Sequence, residues 1–169
     1  MKIICNKFTA IINAFILCLS TSVSAGSITA VDGDSLLRGL QRIRLDGIDA
    51  PEFSQICYTE DVQQYPCGEK AFAYLQNMVE NTPTECKCLP EKDAYNRLVC
   101  ECFADGKSLN RAMVNAGWAM TYRSSQYENE EIAAKRQRRG IWQGKFMRPA
   151  LFRALERLKG NRQHAETTE

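Results

Sequence analysis

Histidine is almost absent from this chain. The single residue, His164, lies in a polar C-terminal stretch, so mechanisms built on a histidine base or nucleophile have no candidate. A long hydrophobic run is also missing: Phe8 to Leu19 is the longest, and it is too short to span a bilayer comfortably. Charge of one sign is not in excess, with 22 Lys and Arg against 20 Asp and Glu, so net charge alone says little about partners. There is no internal repeat and no low-complexity segment, and 169 residues give room for one domain with a real core rather than two.

The N-terminus is patterned for export. Lys2 and Lys7 form a charged start, the apolar run follows, and Val23-Ser24-Ala25 supplies small residues for cleavage. Residues 1–25 are therefore expected to be a signal peptide, with a membrane anchor as the alternative. The mature protein would be secreted or periplasmic, free of the membrane after cleavage, and a monomer. Cys5 and Cys18 leave with the signal, so Cys57, Cys67, Cys86, Cys88, Cys100 and Cys102 remain. An even set in an exported protein reads as disulfides.

Patterning along the chain suggests strands, a helix, strands, then two helices. Ser27 to Val31 and Ile43 to Ile48 are β-prone. Glu69 to Glu80 has helical spacing, with Phe72, Leu75 and Val79 on one stripe beside Ala71 and Met78. Glu85 to Leu89 and Leu98 to Phe103 alternate and are joined by turn chemistry around Asp93 to Asn96. Helices are expected from Leu109 to about Ala116 and from Tyr127 to Arg139, each stopped by a glycine. A small barrel with helices at one end accommodates this order. From Lys135 to Arg162 the charges are almost all basic, with Glu156 the one acid, and the flank could track phosphates or simply be a solvated face. Residues 151–169 are expected to be a basic to polar tail.

The hairpin fixes a cysteine register. Cys86 opposite Cys102 and Cys88 opposite Cys100 fall in a single antiparallel alignment, so one pair can be bridged if the other can. Cys57 and Cys67 would then close a loop shortly after Glu52. A tetrathiolate zinc site is the competing reading, disfavoured by an oxidising compartment and by the geometry of Cys-x-Cys on a strand. One hairpin bridge with two buried thiols is a third arrangement.

Three carboxylates and two arginines carry the chemistry. Asp34 stands in Val31-Asp32-Gly33-Asp34-Ser35. Arg44, Asp49 and Glu52 stand in Arg44-Leu45-Asp46-Gly47-Ile48-Asp49-Ala50-Pro51-Glu52, and Arg97 closes Asp93-Ala94-Tyr95-Asn96-Arg97. Carboxylates are hard ligands suited to calcium, and arginine forks suit the charge that spreads over phosphate oxygens under attack. Each residue could singly be a turn former or a surface charge; five in this order with this spacing point to metal-assisted phosphodiester hydrolysis.

These motifs, in this order, resemble the staphylococcal nuclease-like (thermonuclease) family. The likeness runs from about Ile28 to Trp142, with Gly68-Glu69-Lys70-Ala71-Phe72, Ala104-Asp105-Gly106-Lys107 and Gly140-Ile141-Trp142 at the expected places. The resemblance implies an α+β protein, a five-stranded OB-fold β-barrel with about three packed helices, over residues 26–150. It further implies that Asp34, Asp49 and the Ala50 carbonyl ligate Ca2+. Glu52 would hold the attacking water as base or orienter, and Arg44 and Arg97 would bind the scissile phosphate. Tyr122 would lie near the nucleotide. The implied activity is cleavage of DNA, RNA or both at the bond to the 5′ oxygen, leaving 3′-phosphate ends. Nothing in the sequence resembles a base-reading motif, so little sequence specificity is expected.

Departures from the family pattern are Ser35 for threonine, Ala50 for threonine, Ala94 for a lysine near the nucleotide, and Asn96 for the glycine of Tyr-Gly-Arg. Asparagine tolerates left-handed geometry, so that turn can survive. The main rival is a non-catalytic nucleic-acid-binding OB-fold module, which would be expected to lack some of the five residues. A disulfide-rich structural or inhibitory protein explains the cysteines but not the five.

Overall fold

The computed structural model describes residues 27–166; the expected signal peptide, residues 1–25, lies outside the described residues. Strands β1 (Ile28–Ala30), β2 (Ser35–Arg38) and β3 (Gln41–Leu45) form an antiparallel meander. Strand β4 (Ile48–Asp49) follows a tight turn, and β5 (Cys57–Thr59) pairs with β6 (Gln64–Tyr65). Helix α1 (Cys67–Val79) leads into the hairpin of β7 (Thr84–Lys92) and β8 (Leu98–Ala104), with β9 (Lys107–Ser108) turned back onto β8. Helix α2 (Leu109–Asn115), β10 (Met120–Thr121), α3 (Glu128–Arg136), a 3₁₀ turn at Gly140–Gln143, β11 (Gly144–Lys145) and α4 (Pro149–Glu166) complete the order.

The main sheet runs β1-β2-β3-β8-β7, and β3 meets β8 in parallel, with Ile43 opposite Leu98 and Arg44 opposite Val99. This mixed sheet curls into a half-barrel around Leu36, Ile43, Leu45, Cys100 and Cys102, against which Leu75, Leu109, Met113 and Val114 pack. The architecture is the α+β OB-fold expected, with four helices among the described residues where about three were expected. Buried Asn110 on α2 ties the layers together: its Nδ2 donates to the carbonyls of Asp46 and Cys100, and its Oδ1 accepts from the Cys102 amide. An apolar residue of that size would take these partners from the Asp46 carbonyl and the Cys102 amide, while the Cys100 carbonyl would keep the Asp46 amide, so the asparagine fixes how α2 meets the sheet.

Helix α1 buries the stripe its spacing suggested, with Phe72 and Met78 half-buried at its margins. Ala71, Leu75 and Val79 face the core with Gly68, while Phe72 rotates to the edge and meets Phe53 edge-to-face, ring centres 5.4 Å apart. The smallest side chains decide the phase. A Cβ on Gly68 would lie 1.8 Å from the Glu52 carbonyl oxygen, so the start of α1 can press against the Glu52 backbone only because position 68 is glycine.

All three disulfides join the expected partners: Cys57–Cys67, Cys86–Cys102 and Cys88–Cys100. The hairpin register sets Cys86 opposite Cys102 and Cys88 opposite Cys100, which removes the thiols a zinc site would need. Three disulfides suit an oxidising, extracellular environment. Non-reducing peptide mapping should recover these three linkages. Each hairpin bridge closes a short loop and should contribute about 3 kcal/mol or less by the chain-entropy model. A Cys57 peptide joined to a hairpin cysteine would contradict the arrangement. At the hairpin tip Asn96 takes φ 61°, the left-handed geometry expected of it.

Helix α4 spans Pro149–Glu166, so the stretch expected as a basic to polar tail from residue 151 is helical as far as Glu166. The spacing Leu151, Leu155, Leu158 is that of a helix face, but all three leucines are exposed, so burial gives no sign of it. Among the described residues, no helix is long and apolar enough to cross a membrane.

Candidate functional site

The β2–β3 hairpin sets Ser35 opposite Arg44, and the Leu45 amide donates to the Asp34 carbonyl at 2.8 Å. Asp34 therefore stands beside Arg44 at the hairpin's open end. Gly47 then takes φ +73°, a turn few other residues make cheaply, and sends Ile48–Asp49 back alongside as β4, held against β10. Nη1 of Arg44 donates to both Asp34 oxygens at 2.8 Å, and Nη2 donates to the Ile48 carbonyl at 3.0 Å and Asp49 Oδ1 at 3.2 Å. The Ala50 amide donates to Asp34 Oδ2 at 3.1 Å. Asp34, Arg44, Asp49 and Ala50 thus form one buried cluster, as their spacing suggested.

Glu52 is held at the rim by its backbone. Its carbonyl accepts from the Gln55 amide at 2.8 Å, and the fully buried Gln55 is in turn bonded through its own carbonyl to Gly68 at the start of α1. The Glu52 carboxylate does not touch Arg44. It reaches the cluster through Arg153 of α4, whose Nη1 donates to Glu52 Oε1 at 2.7 Å and to Asp49 Oδ1 at 3.0 Å. Nη2 of Arg153 donates to Asp49 Oδ2 at 3.2 Å. Glu52, Ser54, Phe152, Arg153, Glu156 and Arg157 line a cleft of about 380 Å³ at this point.

Tyr122 is also at the site. Its amide donates to the Gly47 carbonyl at 2.9 Å, and its ring lies under the Arg44 guanidinium, 5.8 Å from the centroid. Arg97 is not drawn into the cluster. Its guanidinium pairs with Asp93, Nε to Oδ2 at 2.8 Å, and lies over the Tyr95 ring. Its backbone is close by, because Arg97 immediately precedes the strand that pairs with Ile43 and Arg44. Asp93 Oδ1 also accepts from the amides of Tyr95 and Arg97, so one carboxylate builds the turn and holds the arginine.

Arg153, Gln55 and Asp93 were not found from sequence as site residues. Asp93 carried a usable signal, since it lies four residues before an arginine across a turn. Arg153 and Gln55 carried none: the Arg153 contacts span 101 and 104 positions, and a glutamine in a loop looks solvated until the fold encloses it.

Burial governs the electrostatics. It pushes the Asp34 carboxyl up to about 7 against the opposing pull of Arg44, with Asp32 and Asp49 adding to the rise. Burial also works against the Arg44 charge, but Asp34 and Asp49 outweigh it and hold that guanidinium above the usual arginine pKa. The two shifts have opposite causes: lost hydration raises Asp34 in spite of Arg44, and the carboxylates raise Arg44 in spite of its own lost hydration. Arg153 is likewise raised, the hydrogen bonds and charges of Asp49 and Glu52 outweighing its partial burial. Three carboxylates therefore face two guanidiniums, and the cluster is short of positive charge.

That shortage, on hard oxygen donors, fits a divalent cation. Among the described residues no three His, Cys, Asp or Glu side chains converge to hold one alone. A set of two carboxylates and a backbone carbonyl, completed from water or substrate, is compatible with this, because calcium accepts mixed and flexible oxygen ligation.

Comparison with known proteins is consistent with this geometry. The family described as staphylococcal nuclease homologue matches residues 42–144. Succinoglycan biosynthesis protein ExoI of Rhizobium meliloti is 34% identical over 122 residues, covering 69% of this chain and 63% of that protein. Staphylococcal-like nuclease CAN1 of Arabidopsis thaliana is 32% identical over 112 residues, covering 60% of this chain and 29% of the relative. The protein named "Probable endonuclease lcl3" of Sclerotinia sclerotiorum is 28% identical over 134 residues, covering 71% and 49% respectively. The chain thus matches less than two thirds of the length of each of these relatives.

Proposed function

Because this chain belongs to the staphylococcal nuclease homologue family, we propose that it is a secreted or periplasmic, calcium-dependent endonuclease. Its substrate would be DNA, RNA or both, cut with little sequence specificity to leave 3′-phosphate ends. The observation that carries the reading is the convergence of Arg44 on Asp34 and Asp49, with Glu52 at the rim of the same cluster. The nuclease names of two of the three relatives support the reaction class, while ExoI is named for succinoglycan biosynthesis.

Asp34, Asp49 and the Ala50 carbonyl would hold calcium. When bound, the ion would act as a Lewis acid on a phosphoryl oxygen. Glu52 would orient a water for attack on phosphorus, or take its proton, as the bond to the 5′ oxygen breaks and that oxygen takes up a proton from solvent. Arg44, kept charged by its carboxylate neighbours, offers donors to the phosphate as negative charge builds on it. Arg97 enters the same role by exchanging Asp93 for phosphate, a short movement for a side chain with four rotatable bonds. Tyr122, beside Arg44, offers a face to the sugar or base.

Purified mature protein incubated with plasmid and with RNA should cleave in calcium and stop cleaving in chelator. The product ends should become extendable by a polymerase only after phosphatase treatment. Binding without cleavage in calcium would move the non-catalytic OB-fold module ahead.

A further inference from the structure

We propose that Arg153 is an internal counter-cation: it occupies the carboxylates of the metal site in the metal-free protein, and calcium must displace it together with helix α4. The inference rests on the calcium reading of the site above. It begins from the contacts. One guanidinium donates to both oxygens of Asp49, an expected calcium ligand, and to the carboxylate of Glu52, the expected water-holding group. A group that saturates those oxygens with N–H donors competes directly with a metal ion for the same lone pairs.

Charge gives the exchange a direction. With all three ionised, as a bound cation would keep them, Asp34, Asp49 and Glu52 carry three negative charges, and Arg44 with Arg153 supplies two positive ones. Arg44 with a calcium ion would supply three. Replacing Arg153 by the ion therefore brings the three carboxylates to balance and relieves the shortfall seen at buried Asp34. Asp32, whose carboxylate accepts from the Asp34 amide, adds negative charge on the same side and favours the exchange further.

The mounting of α4 allows the movement. Its root is fixed: Gln55 Nε2 donates to the Met147 carbonyl at 2.6 Å, two residues before the helix begins. Beyond that root, Leu151, Leu155 and Leu158 are exposed, at 54%, 37% and 57%. The helix is held to the domain chiefly by Arg153 and the residues flanking it in the cleft. A helix anchored at one end and latched by one arginine on two carboxylates can swing when that arginine is exchanged, and Arg157, which lines the cleft, would then be free to meet a phosphate chain.

Linkage makes the proposal measurable. If calcium and docked Arg153 exclude one another, removing the side chain must tighten calcium binding. Calcium must in turn weaken α4 docking by the same factor. By calorimetry without substrate, Arg153→Ala should bind calcium about tenfold more tightly than the native protein, within the usual range for coupled sites. In the native protein, saturating calcium should speed amide exchange across α4, while Arg153→Ala should exchange fast there with or without the ion. The exchange measurement on native protein needs no variant and guards against a misfolded one. Equal calcium affinity in both proteins, or α4 protection unchanged by calcium, would overturn the latch while leaving the nuclease reading intact. Failure of both proteins to bind calcium would overturn both.

Discussion

Glu52→Gln is expected to slow phosphodiester cleavage by roughly 10²-fold or more, the scale usual for removing a general base, while leaving the protein folded. The side chain is about a third exposed, and among the described residues its carboxylate is bonded to Arg153 alone. The loop that presents it is set by backbone bonds to Gln55 and by the close approach of Gly68, neither of which involves the carboxylate. Glutamine keeps the shape and an oxygen acceptor but loses the charge that orients or deprotonates water. Turnover on a plasmid substrate, measured beside a thermal melt, separates the two effects. A near-native rate in calcium from a folded variant would remove Glu52 from the mechanism.

Arg44→Met should harm both stability and rate. Without a metal ion, and among the described residues, Asp34 would lose its only guanidinium and Asp49 one of two. Breaking a buried pair from one side costs about 3–5 kcal/mol, with the lower end expected here because Asp34 can answer by binding a proton. Calcium should return part of that stability, since it restores positive charge to the same oxygens. It should not return the rate if Arg44 has the role proposed for it, donation to the scissile phosphate, whose loss costs about 10²–10³-fold. Chemical denaturation with and without calcium, paired with initial rates, tests both. An unchanged denaturation midpoint without calcium would mean that the Arg44–Asp34 contact carries little of the fold.

How far these features could be read beforehand followed the range of the interactions behind them. Asp34, Arg44, Asp49 and Ala50 lie within seventeen positions, and one hairpin and one glycine turn bring them together, so their spacing already encoded the cluster. The cysteine register was legible for the same reason, because an antiparallel hairpin is a local object. Asn96 in a left-handed turn follows from side-chain chemistry alone. The stripe of α1 was legible in Ala71, Leu75 and Val79, but the half-burial of Phe72 at its margin was not. Phe72 carries more apolar area than Ala71, yet Gly68 and Ala71 permit the closer approach, and a hydrophobicity pattern does not register that. Arg97 was recognised by motif, but its rest position on Asp93 was not, although both lie in one turn. Helix α4 was least legible: its leucines do not enter the core, and Arg153 finds its partners across the whole domain.

The parallel seam between β3 and β8 bears on how the chain reaches this shape. It joins Ile43 to Leu98, so much of the domain must be threaded before the first contact across it can form. The β7–β8 hairpin, by contrast, closes over a dozen or so residues and can be fastened early by its two bridges. Loop-closure cost rises only slowly with length, about 0.6 kcal/mol per doubling, but contacts of this sequence span slow the search itself. Assembly should therefore run from two local units, the β1–β2–β3 meander and the bridged hairpin, to a late docking along the seam. Arg44 lies on that seam, opposite Val99. The site would then be among the last parts of the domain to take shape.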